Sequence, residues 1–220
     1  MEIKRSRFVS ARWFLTAAVC MVLICGTELA HNFLTVTHPV GEGVLVVEAW
    51  IPAPAMAEAA TVFSSGHYRY LVLVGGPVQE GRSSSTHPGT YTDRAAEGLV
   101  KLGFDDKKLI RVSVPAEPTG LRTLASADAV KLWLDRLAPP VCCLDVFTVG
   151  VHARKSWVLF GHELGNRYRV GIIAGAEGPY DRSNFWFFST RGIWIFVRNL
   201  AGYAYAEFVV LTDRGLIFRT

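Results

Sequence analysis

Most of the short motifs that identify large enzyme classes are missing from this 220-residue chain. It has no GxGxxG turn, no phosphate loop ending in Gly-Lys-Ser/Thr and no Gly-x-Ser-x-Gly elbow. His162-Glu163 is followed by Leu-Gly-Asn rather than by the second His that a zinc protease helix needs. These absences remove most of the support for common nucleotide, triad and metal chemistries. Cysteine is scarce: Cys20 and Cys25 lie in an apolar N-terminal stretch, and the neighbours Cys142 and Cys143 stand alone further on. Adjacent cysteines do not easily reach disulfide geometry and two thiols are too few for a structural zinc, so the pair reads as two small buried hydrophobes before a strand.

A basic surface is also lacking. The formal charge is +4, but Lys4, Arg5, Arg7 and Arg12 against Glu2 place +3 of it in residues 1–12, leaving +1 for the rest. A nucleic-acid binder needs its basic face in the folded part, so nucleic acid is excluded as a partner.

Apolar residues are abundant, at half of the chain, and the mean hydropathy is +0.26. Residues 13–27 (WFLTAAVCMVLICGT) carry no charge, and apolar character resumes beyond Glu28 as far as Val36. This predicts a single membrane anchor over 13–36 behind a basic cytoplasmic flank of residues 1–12. The alternative is a cleaved signal peptide. Glu28 stands three residues back from the candidate cleavage site before His31, where a small residue is wanted, and Ile24 before Cys25 argues against lipoprotein processing. The positive-inside rule then gives a single-pass protein of the cytoplasmic (inner) membrane, N-terminus in the cytoplasm and domain outside.

Beyond a linker at 37–42, residues 43–211 are expected to form one domain. Continuous β-branched runs at 43–47, 70–74, 109–114, 144–149 and 168–174 predict five strands covered on both faces. Helices are expected at 55–65 (opened by Pro52 and Pro54), 90–102, 121–137 and 153–164. The order βαβαβαβαβ predicts a doubly wound, Rossmann-like α/β domain: a mostly parallel five-stranded sheet with helices on both faces, behind one N-terminal membrane helix. Residues 79–89 are expected to be a polar loop over the strand ends, and an aromatic-rich segment from Tyr180 ends in a helix from about 189.

In such a sheet, ligands bind at the carboxyl ends of the strands. The polar residues expected there are Glu48 and Trp50 after the first strand, and Gly75 and Gly76 after the second, with Tyr91 and Asp93 opening the next helix. Arg122, Thr123 and Ser126 follow the third strand, and His152, Arg154, Lys155 and Ser156 the fourth. Helix N-termini helped by Arg122 and Arg154 favour a small anionic ligand, with Glu48, Asp93 and His152 as acid–base candidates and the cofactor unspecified. Each has a plainer reading: Asp93 as a helix cap, Thr123 and Ser126 as local hydrogen bonders, Trp50 as core, His152 as structural. Arg154 and Lys155 at a helix start oppose the helix dipole and require a compensating anion.

Taken together, Glu48-Ala49-Trp50, the LVLVGG of 71–76, Tyr91-Thr92-Asp93, Arg122-Thr123-x-x-Ser126-Ala127 and Thr148-x-x-x-His152-Ala153-Arg154-Lys155-Ser156 resemble the SanA/ElyC/YdcF family of envelope proteins. The resemblance covers residues 43–175 and the anchored layout. It implies a Rossmann-like domain with a role in envelope biogenesis or barrier function, and a polar pocket of Gly75, Gly76, Asp93, Arg122, Thr123, His152 and Arg154. The chain departs from the family at Asp93, where Glu is usual, at Glu48-Ala49-Trp50, which replaces a Gly-containing strand end, and in its longer Ser-rich stretch at 79–89. The expected function is binding or processing of an anionic envelope metabolite, nucleotide-like or lipid-linked. A different class of function, a non-catalytic scaffold, rests on the aromatic C-terminal segment binding a partner or a membrane surface.

Overall fold

The computed structural model describes residues 3–78, 89–115, 122–176 and 186–217. Most of the 79–89 loop, the stretch before Arg122 and the start of the aromatic segment, including Tyr180 and Phe185, lie outside the described residues. The chain divides into two units between Phe33 and Leu34. The first is formed by a long helix, α1 (Ile3–Leu34), all but its last residue, and the stretch Trp13–Leu34 of that helix has 22 residues and a mean hydropathy of 1.8. At 1.5 Å per residue that is about 33 Å, long and apolar enough to cross a membrane.

The second unit is built on β1 (Glu42–Glu48), β2 (His67–Gly75), β3 (Leu109–Ser113), β4 (Cys143–Val149) and β5 (Arg169–Gly175). All four pairings are parallel and the strand order is β3-β2-β1-β4-β5. The sheet therefore grows outward from β1 in one direction and, after β3, from β4 in the other, so the order reverses between β1 and β4.

The continuous apolar strands are divided between two cores by their alternation. Leu45, Val47, Leu71, Leu73 and Phe147 face α2 (Ala53–Ser65) and α3 (Tyr91–Lys101). Val44, Val46, Val72, Leu144 and Val146 face α4 (Arg122–Leu134) and α5 (Ala153–Leu164). Such two-sided burial explains why the strands show no polar alternation. The final helix, α6 (Thr190–Ile217), lies outside this sandwich and packs Ala206 and Val210 onto Leu159 of α5.

Residues 37–42, expected as a linker, are fastened to the sheet. His38 exchanges backbone hydrogen bonds with Ile172 (2.7 and 3.1 Å), and the Thr37 hydroxyl accepts from Ala174 N at 3.0 Å. Val40 N and Gly41 N each donate to the Asp145 carboxylate at 2.7 Å, and Tyr68 Oη donates to it at 2.6 Å. Asp145 is fully buried in β4, and Leu34 is fully buried in the same unit. Burial and the Asp145 charge hold the Tyr68 phenol well above its ordinary range.

Candidate functional site

The reversal of strand order places the carboxyl end of β1 beside that of β4, where an open parallel sheet forms its crevice. Glu48 closes β1 and is buried. A single 3₁₀ turn, Gly150–His152, follows β4, and His152 is the N-cap of α5 without capping it through its side chain. One turn into α5, the buried Ser156 hydroxyl donates to Glu48 Oε2 at 3.1 Å. His152 Nε2 lies 3.6 Å from the same carboxylate oxygen, beyond hydrogen-bond range.

The other ring nitrogen fixes the histidine's proton. Asn199 of α6 donates its Nδ2 to Ile195 O at 2.9 Å, so its Oδ1, 2.9 Å from His152 Nδ1, accepts. Neutral His152 therefore carries its proton on Nδ1 and its lone pair on Nε2, which is buried without a hydrogen-bond partner. Trp50, partly exposed, meets the imidazole edge-on with ring centroids 4.9 Å apart. Burial is the largest influence on His152 and lowers its pKa; Glu48 and Asn199 oppose the shift, while Lys155 and Arg198 add to it.

Lys155 occupies the same neighbourhood. Its side chain runs along Gly202 of α6, where even a Cβ would come within 3.4 Å of Lys155 Cδ. Burial lowers its pKa, Glu48 raises it and Arg198 lowers it further. The anion required by cations in the first turn of α5 is thus an internal carboxylate, Glu48, contributed by β1. Together these groups form a cluster that can accept a proton at Nε2, stabilise the resulting imidazolium through Glu48 and present Lys155 and Arg198 to an anion.

The remaining predicted residues fall into three further groups. Gly75 ends β2, where an added Cβ would lie 3.3 Å from both Ala49 Cβ and Tyr91 Cβ; Gly76 O accepts from Tyr91 N at 3.0 Å. Gly75 thus lets α3 start close against the residue that follows β1. Asp93 takes part in a capping box with Thr90: the Thr90 hydroxyl accepts from Asp93 N (3.1 Å), and Asp93 Oδ2 accepts from Thr90 N (3.3 Å) and Oγ1 (2.6 Å). Arg122 opens α4 exposed, with Thr123 and Ser126 buried behind it. Arg154 sets its guanidinium 5.6 Å from the Trp157 ring centroid, and its charge acts on Tyr203 of α6. Glu48, Trp50, His152 and Ser156 are therefore brought together, joined by Lys155 and Asn199.

Sequence reasoning misses Asn199 as a site residue. The signal for it is a polar residue three positions after Phe196 on the buried side of an otherwise aromatic and aliphatic helix. The buried Thr148 Oγ1 in β4 also has no hydrogen-bond partner. A groove of about 490 Å³ beside the edge strand β3, lined by Arg111, Ser113, Trp133 and Arg136 among others, includes none of the predicted site residues. No protein-family model, no curated protein and no solved structure matches this chain.

Proposed function

We propose that the protein is a membrane-anchored, extracytoplasmic α/β protein that binds or processes a small anionic metabolite of the cell envelope at the β1–β4 crevice. The observation that carries this reading is the meeting of Glu48, His152, Lys155 and Ser156 where the strand order reverses, with His152 Nε2 buried and unpartnered. Among the described residues, the cluster sets Lys155 and Arg198 against Glu48, a balance that favours a phosphate or carboxylate group. His152 Nε2 would accept a proton from a ligand hydroxyl or from water, with Glu48 stabilising the cation. The resemblance to the SanA/ElyC/YdcF proteins supports the envelope setting, and the apolar helix α1 supports the anchor.

The test is thermal unfolding of the full-length chain in mild detergent with inorganic phosphate, nucleotides and a polyprenyl phosphate. A ligand at a hundred times its Kd should stabilise the wild type by about 2.7 kcal/mol. Lys155→Met and His152→Ala should lose that response, with Arg154→Ala showing whether the neighbouring guanidinium contributes. If no anion stabilises the folded wild-type chain, the reading is wrong.

A second reading, a scaffold resting on a phospholipid surface, is favoured by one observation. Ile193, Trp194, Val197, Leu200, Tyr205 and Phe208 of α6 are all exposed, whereas Trp186 is buried against Phe196 at a centroid distance of 4.6 Å. The exposed stripe, rather than Trp186, is thus the face to test. Brominated lipid should quench the reconstituted wild type more than Trp194→Phe; equal quenching excludes contact at Trp194.

A further inference from the structure

The amino ends of the strands lie at the edge of the sheet opposite the crevice, and a second group of reactive side chains gathers there. Glu42 opens β1, Cys143 opens β4 with Cys142 just before it, and Arg169 opens β5. The backbone approach is close. Gly43 has φ +86°, and a Cβ there would collide with the Cys143 carbonyl oxygen, so only glycine lets β1 start this near to β4. As a result the Glu42 carboxylate and both thiols present ligand atoms within 4.8 Å of one another. The two sulfurs are 2.7 Å apart and both cysteines are free.

These three donors already hold one positive charge. Arg169 Nη2 lies 2.6 Å from Glu42 Oε1, 3.8 Å from Cys143 Sγ and 4.0 Å from Cys142 Sγ. Its side chain is two-thirds exposed, at 66%, so it can swing into solvent without breaking a core contact. We propose that Glu42, Cys142 and Cys143 form a binding site for a thiophilic divalent cation such as Zn²⁺, with the Arg169 guanidinium occupying the cation's place when no metal is bound.

Binding releases the two thiol protons to solvent. Two thiolates and one carboxylate then balance the divalent cation and the Arg169 charge. Sulfurs bound at about 2.3 Å in a tetrahedron stand about 3.7 Å apart, so the thiols separate by about 1 Å on binding, a side-chain rotation. Cys142 and Glu42 are exposed, which leaves the fourth position to water. Two thiolates select soft d¹⁰ ions over Mg²⁺ or Ca²⁺.

The test uses the full-length chain in detergent with Cys20→Ala and Cys25→Ala, so that the pair supplies the only thiols, reduced and counted before titration. Cd²⁺ should bind one per chain and produce the ultraviolet thiolate-to-metal absorption, Zn²⁺ should compete it away, and Mg²⁺ should not. Cys142→Ser, at the exposed position, should remove the band without unfolding the domain. Glu42→Gln should weaken binding at least about tenfold. Arg169→Met should tighten it, an effect that no merely structural role for the arginine produces. The proposal is overturned if a chain with two counted thiols gives no band with millimolar Cd²⁺, if the band survives Cys142→Ser, or if Arg169→Met weakens binding.

Discussion

Replacing Asp145 by Asn should remove much of the stability margin of the second unit. The carboxylate is fully buried in β4, between β1 and β5, and accepts three hydrogen bonds: from Val40 N and Gly41 N at 2.7 Å and from Tyr68 Oη at 2.6 Å. A carboxamide that keeps its oxygen at the Oδ2 position still accepts from Gly41 N and Tyr68 Oη, but without the charge, and turns its NH₂ group against Val40 N, so one bond is lost and two are weakened. Bonds to a charged group contribute about 1.5–3 kcal/mol each, which gives a cost of about 3–5 kcal/mol once partial relaxation is allowed. That is a large share of the roughly 5–15 kcal/mol by which a domain is stable. Tyr68→Phe removes one donor and should cost about 1–2 kcal/mol in the wild type but much less in the Asp145→Asn background, because the partner is already compromised. The assay is urea unfolding of the full-length chain in detergent, followed by tryptophan fluorescence. With a slope of about 2 kcal/mol per molar urea, Asp145→Asn should lower the midpoint by about 2 M without changing the slope. A loss below about 1 kcal/mol, or strictly additive effects of the two substitutions, would refute the reasoning.

Three further outcomes are expected. Because burial lowers the pKa of His152 below its ordinary 6.5, the unfolded chain takes up a proton there more readily than the folded one. Its contribution to stability is complete above about pH 6.5 and is lost as the pH falls toward the lower folded-state value, at up to about 1.4 kcal/mol per pH unit; chemical unfolding between pH 7 and pH 5 should show a slope that His152→Gln flattens. Ser156→Ala leaves Glu48 buried without the hydroxyl at 3.1 Å and should cost about 1.5–3 kcal/mol, about 3–12 °C in Tm by calorimetry. A truncation starting at Leu34 should fold, whereas one starting at Glu42 loses Leu34, both His38 bonds and two of the three donors to Asp145, and should show no cooperative melting by circular dichroism.

Local chemistry is enough to locate the elements. Residues 43–47 read as a strand because five successive apolar or glycine positions suit a sheet covered on both faces, and β1 runs over Glu42–Glu48. Pro52 and Pro54 mark the start of α2, and Thr90-x-x-Asp93 carries a capping box that accounts for Asp93 at the start of α3. Glu48 closes β1 and His152 follows β4 by a single 3₁₀ turn for the same reason, since polar residues after an apolar run mark where a strand leaves the core, and Ser156 lies one turn further, inside α5. The apolar stretch expected at 13–36 contains the helical segment Trp13–Leu34, which is long and apolar enough to cross a bilayer.

Relations between distant segments are not legible in this way. Which strand each parallel strand takes as its neighbour leaves no local trace, so the order β3-β2-β1-β4-β5, and with it the meeting of the β1 and β4 carboxyl ends, follows only from the packed sheet. Ser156 and Glu48 are 108 positions apart, and Asn199 reaches His152 from a helix outside the α/β sandwich. Residues 37–42 have the composition of a linker, yet a carboxylate 105 positions away from Val40 gathers their amides. Which residues must leave water, and which must end a strand, can be read along the chain because both are properties of single side chains and their period. Which polar group answers which is a property of the packed domain, because an internal carboxylate such as Glu48 or Asp145 acquires its partners when the strands on either side of it are in place.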